Sequence, residues 1–120
     1  MNELQMKQRT KDFAKEIIQI CRELPDNREG RLIGNQLFRS GTSVAANYRD
    51  TCRAKSKADF ISKLAIVEEE ADETLFWMEL LNEMNIYKNN VLEKLMLENN
   101  EILAIIVASI KTSRNRRDGI

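Results

Sequence analysis

Apolar residues return every three or four positions through most of this chain, and little interrupts them. That spacing marks one face of a helix, because residues at i, i+3, i+4 and i+7 share one side of a 3.6-residue turn. Breakers are scarce, with one Pro and four Gly in 120 residues. So few of them leave room for long helices and argue against an all-β fold.

Four stripes can be traced. Phe13, Ile17, Ile20 and Leu24 predict a helix over about 5–24, closed by Pro25 and the turn PDNREG. Ile33, Leu37, Val44, Tyr48 and Cys52 predict a second over about 28–53, with Gly41 inside the stripe. A Gly there costs about 1 kcal/mol against Ala, and is tolerated where two backbones come close. Phe60, Leu64, Val67, Ala71, Leu75, Met78 and Leu81 predict a third over about 57–84. Ser56 and Asp59 read as the capping signal at its start. Val91, Leu95, Ile102, Ile106 and Ile110 predict a fourth over about 90–112, with Glu93 as a capping signal and a frayed basic tail at 113–120.

Four amphipathic helices with short connections describe an all-α, antiparallel (up-down-up-down) four-helix bundle, filling residues 1–120 as one domain. The joint between the second and third helices is so short that a bend in place of a reversal is the alternative there. The stretch from Arg39 to Asn47 is rich in Ser, Gly, Thr, Ala and Asn, where a core stripe would carry Leu and Ile. It implies close helix approach, an internal polar network, or both.

Composition narrows function. The chain has no His, which removes most zinc ligand sets, the Ser-His and Cys-His nucleophile pairs and the commonest general base. The expectation is a non-enzymatic protein with no cofactor and no metal. Cys21 and Cys52 read as small buried hydrophobes. No leader peptide and no apolar run of membrane-span length is visible, so the expected location is cytoplasmic, away from membranes. Net charge is zero but unevenly spread. Residues 1–57 hold 12 Lys/Arg against 7 Asp/Glu, residues 58–104 hold 3 against 11, and residues 105–120 hold 4 against 1. Basic and acidic segments pair with each other, stay solvated, or in the basic case attract nucleic acid.

The run Gln36-Leu37-Phe38-Arg39-Ser40-Gly41-Thr42-Ser43-Val44-Ala45-Ala46-Asn47, with Phe60, Leu64 and Glu73 downstream, resembles the signature of the 23S rRNA intervening-sequence protein family, also called the four-helix-bundle protein family. Arg39, Ser43, Val44, Asn47 and Glu73 match its pattern. Tyr48-Arg49-Asp50 replaces the usual Ile-Ala-Glu, and Glu70 stands where Ser is common. The resemblance runs from Phe13 to about Tyr87. It implies a left-handed bundle assembled as a ring-like homopentamer. A similar protein, the accessory variability protein of diversity-generating retroelements, uses a basic surface to bind nucleic acid and a reverse transcriptase.

Candidate sites follow. Arg39, Ser43 and Asn47, spaced i, i+4, i+8, are expected to meet Glu70 and Glu73 in an internal polar network, since an unpaired buried polar group costs about 1–3 kcal/mol. A ligand site is the sharper alternative. Glu68, Glu69, Glu70, Asp72 and Glu73 leave an all-carboxylate Mg²⁺ or Mn²⁺ site chemically open, with a solvated acidic face preferred. Arg49, Arg53, Lys55 and Lys57, and Arg114, Arg116 and Arg117 beside Lys111, are the nucleic-acid candidates; Tyr48 and Tyr87 could stack on bases, with a place at the bundle edge preferred for each. Phe76, Trp77 and Met78 cannot all be buried by one bundle, so Phe76 and Trp77 are expected at an oligomer interface, with a groove for a peptide partner as the alternative. The expected partners are other copies of this chain, then RNA or DNA, then another protein. The alternative to a nucleic-acid module is a purely structural or protein-interaction oligomer.

Overall fold

The computed structural model describes residues 1–116. It holds four helices: α1 (Glu3–Glu23), α2 (Arg28–Thr51), α3 (Lys57–Glu83) and α4 (Asn90–Asn115). Each helix starts on a residue of extended backbone whose side-chain oxygen accepts from the N–H three residues on. Asn2, Asn27, Ser56 and Asn89 play this part, each worth about 0.5–2 kcal/mol. At Asn2 the cap is reciprocal, because Gln5 accepts in turn from the Asn2 N–H at 3.0 Å. For α4 the cap falls on Asn89, one residue before the expected start. Asp59 accepts from the Lys55 N–H at 3.0 Å, so the acid of the Ser56 signal reaches one residue beyond the cap.

Helix ends are equally local. α3 closes in a Schellman turn: Ile86 N–H donates to Leu81 O at 3.0 Å, Asn85 N–H to Asn82 O at 3.3 Å, and Asn85 takes φ 55°. Asn tolerates that left-handed conformation better than most residues. α2 stops at Thr51, earlier than expected. α4 runs on to Asn115, so residues 113–115 of the expected tail are helical.

The chain reverses fully at the joint of residues 52–56. α2 and α3 pack along each other, and α1 on α2 and α3 on α4 complete the up-down order. α1 and α4 touch least. The result is a rod of 54 × 21 × 20 Å. The start of α1, the α2–α3 joint and the end of α4 share one pole.

Among the described residues seventeen buried apolar side chains form one core, from Met6 and Phe13 to Ile106 and Ile110. The small residues of α2 serve close packing. A β-carbon on Gly41 would lie 2.7 Å from Ile17 Cγ1 and 2.8 Å from Cγ2, so only Gly lets α1 come this near. Buried Ser40 and Thr51 return their hydroxyls to carbonyls of their own helix, Leu37 O at 3.4 Å and Asn47 O at 2.9 Å. Two corrections concern α4. Val91, expected in its stripe, is exposed, and Leu92 takes the core position. Asn99, between Leu95 and Ile102, is fully buried, and donates from Nδ2 to Ala71 O at 2.9 Å across the α3–α4 interface.

Candidate functional site

Arg39 projects from α2 across α3. It donates to Glu70 at 3.1 Å and also to Glu73, and Glu73 accepts a second bond from the Trp77 indole N–H at 3.0 Å. The Trp77 bond first, then Arg39, holds the Glu73 carboxyl below the usual carboxylate range. This cluster lies at the surface, with the Arg39 side chain 48% exposed, and not inside as expected. Ser43 and Asn47 do not join it. Asn47 Nδ2 donates to Ser43 O at 2.9 Å within α2. The reason is rotation: each four-residue step turns about 40° past a full turn, so the i+8 residue has drifted by about 80° from Arg39.

The basic residues gather at the pole holding the α2–α3 joint. Arg49, Arg53 and Lys55 are exposed and carry no ion pair among the described residues. Lys57 Nζ donates to the Arg116 carbonyl, which draws the end of α4, with exposed Lys111, Arg114 and Arg116, into the same pole. Arg117 lies outside the described residues. The neighbouring acids Asp50 and Asp59 pair with Lys63 at 3.3 and 3.6 Å, and Arg49, Arg53 and Lys55 make no ion pair with them.

The aromatic candidates divide. Tyr48 is 8% exposed beside Cys52 and cannot present its ring to a base; burial raises its hydroxyl well above the usual tyrosine value. Tyr87 stands at the opposite pole, donating to Glu23 at 2.8 Å. Of the three consecutive bulky residues, Met78 is in the core, Trp77 packs half-buried against it, and Phe76 is 49% exposed, meeting Trp77 edge-on at 4.9 Å. Burial raises both thiols, Cys21 to about 11. Among the described residues no group of three or more His, Cys, Asp or Glu converges to hold a metal ion. No described helix is long and apolar enough to cross a membrane.

Two features have little signal in the sequence. Arg9 of α1 forms ion pairs with Glu98 and Glu101 of α4, both at 2.6 Å, and closes the loosest seam of the bundle. Two open grooves also lie on opposite sides of the rod. One, between α1 and α2, has Lys7, Lys11 and Arg49 around Leu4, Ala45 and Ala46. The other, between α3 and α4, has Glu68, Glu69 and Asp72 around Ala65, Leu103 and Val107.

Capped helices, a single core and grooves between adjacent helices define an all-α four-helix-bundle protein whose distinctive chemistry is on its surface. The family model for the 23S rRNA-intervening sequence protein matches residues 2–108, and the chain belongs to that family. Among solved structures it is similar to a protein of unknown function from the S23 ribosomal protein family of Bacteroides thetaiotaomicron. The two are 33% identical, with a TM-score of 0.85 over 92% of this chain and 99% of that one. Comparison with curated proteins finds no match.

Proposed function

We propose that this chain is a non-enzymatic binding and assembly module, a homo-oligomeric ring that takes RNA or DNA on its basic pole and works in the cytoplasm. Five copies is the number the family resemblance implies. The observation that carries the nucleic-acid reading is the outward set Arg49, Arg53 and Lys55, without carboxylate partners among the described residues and joined at that pole by Arg114 and Arg116. One such patch is weak. A ring repeats it around an axis, and linked sites bind far more tightly than one alone. Contacts would be to phosphates, through counterion release, without reading base sequence. Burial of Tyr48 favours this backbone mode over stacking.

The test is fluorescence anisotropy of a labelled structured RNA and a labelled duplex DNA across a salt series. Binding should weaken steeply with salt, and Arg53→Ala, Lys55→Ala and Arg114→Ala should each lower the log–log slope by about 1. Absence of binding at low salt would leave the second reading, an assembly or protein-interaction oligomer with no nucleic-acid role. The exposed Phe76 favours that reading.

A further inference from the structure

The two grooves are opposites in charge and alike in form. The α1/α2 groove, about 440 Å³, sets Lys7, Lys11 and Arg49 around an apolar floor with Leu4 74% exposed at its lip. The α3/α4 groove, about 380 Å³, sets Glu68, Glu69 and Asp72 around Ala65, Leu103 and Val107. None of these six charged groups has an ion pair within the chain among the described residues. Exposed Phe76 is four residues beyond Asp72 on the same face of α3, and exposed Phe38 is four residues before Thr42, which borders the basic groove. An exposed aromatic ring thus lies one helical turn beyond a residue of each groove.

Their placement matters as much as their charge. Helices in the order α1, α2, α3, α4 around a bundle put the α1/α2 and α3/α4 edges on opposite sides. The register that sets Arg39 against Glu70 and Glu73 puts Thr42–Ala46 level with Ala65–Glu69, so the two grooves overlap over part of their length along the rod. Pairing either groove with itself would bring three like charges against three, which opposes association. Pairing the basic groove of one copy with the acidic groove of the next brings opposite charges together and covers both apolar floors.

We propose that the α1/α2 groove of one copy receives the α3/α4 edge of another, Lys7 and Lys11 facing Glu69 and Asp72, in a heterologous head-to-tail contact. Such a contact leaves one unused groove at each end of a pair, so it propagates, into a ring where the rotation between copies closes and into a filament where it does not. The assignment rests on the oligomeric reading above and names the surfaces that make the oligomer. Of the nucleic-acid candidates, Arg49 lines this groove and is covered by the contact, while Arg53, Lys55 and Arg114 stay outside it.

The experiment is light-scattering mass measurement over a dilution series on three proteins: the wild type, Lys7→Glu/Lys11→Glu, and Glu69→Lys/Asp72→Lys. All four positions are on the surface, and circular dichroism checks that both variants keep their helices. Each variant alone should be monomeric, because its reversed groove repels the unchanged one on a neighbour. A 1:1 mixture of the two variants should associate again into species heavier than a monomer, since each contact between unlike variants joins opposite charges; a ring of five cannot alternate throughout, so the mixture should form even-numbered or open assemblies. Either variant keeping the wild-type mass would overturn the assigned surfaces while leaving the oligomer standing. A mixture that stays monomeric would overturn the charge pairing. A wild type that is monomeric throughout would overturn both the pairing and the oligomeric reading.

Discussion

Gly41 of α2 sits against the side chain of Ile17 of α1 with no room for a β-carbon between them. Ile17 is fully buried, so its two γ-carbons have nowhere to retreat. Overpacking of this kind costs about 1–3 kcal/mol, while the gain in helix propensity from Gly to Ala returns about 1. Gly41→Ala should therefore lower stability by up to about 2 kcal/mol, and Gly41→Leu by more. In an Ile17→Ala background the cost of Gly41→Ala should largely vanish. Urea denaturation of the four proteins gives the coupling; equal costs in both backgrounds would place the contact elsewhere.

Glu73 should titrate below an ordinary glutamate. Its carboxylate accepts from Trp77 and Arg39, and its folded pKa is depressed. The stability it contributes is present at neutral pH and is lost as pH falls below the usual carboxylate value of about 4.3, through the folded value. Partial exposure keeps that contribution under about 1 kcal/mol. Trp77 is the only tryptophan, so its indole proton resonance reports the titration directly. Arg39→Ala should move the inflection upward; an inflection unchanged by that substitution would mean the ion pair does not act on Glu73.

Asn99 is half satisfied. Its Nδ2 reaches Ala71 O, but its Oδ1 is buried without a protein partner. Asn99→Leu removes both polar atoms and should be neutral or stabilise by about 1 kcal/mol. Asn99→Asp places an unpaired charge in the core and should cost about 3 kcal/mol or more at neutral pH. Thermal melts of the two variants should move in opposite directions, or the Leu variant stay level. A large loss from Leu would mean that the single bond to Ala71 outweighs the orphaned oxygen.

Arg9 holds the seam that packing holds least. Its two carboxylate partners, one of them exposed, suggest about 1 kcal/mol for Arg9→Ala. The loss should be local. Amide hydrogen exchange should speed up in the first half of α1 and near Glu98, and stay unchanged where α2 packs on α3. Uniform acceleration along the chain would show that the clip supports the whole bundle.

The helices were legible because their signals are local. Apolar spacing, Ser56 before Asp59, and Pro25 after Leu24 each act within one or two turns. Gly41 inside a stripe announced close approach without naming Ile17 as its neighbour. Asn99 was missed because a polar residue breaks an apolar pattern, although its place between Leu95 and Ile102 fits the stripe. Arg9 with Glu98, and Lys7 with Arg49, are joined only by the fold, and no spacing rule connects residues so far apart. Arg39 with Glu70 and Glu73 was anticipated, but not its depth: composition gave polar groups to be satisfied, and packing left them on the surface.

An even number of antiparallel helices has a practical side. Met1 and Arg116 stand at the same pole as the α2–α3 joint, while the turn carrying Lys88 stands at the far end of a rod 54 Å long. A bulky dye attached beside Met1 or Arg116 would crowd Arg53, Lys55 and Arg114 and compete for whatever they hold. A surface anchor at Lys88 would leave that pole facing solution, so immobilised and free protein should behave alike only when tethered there.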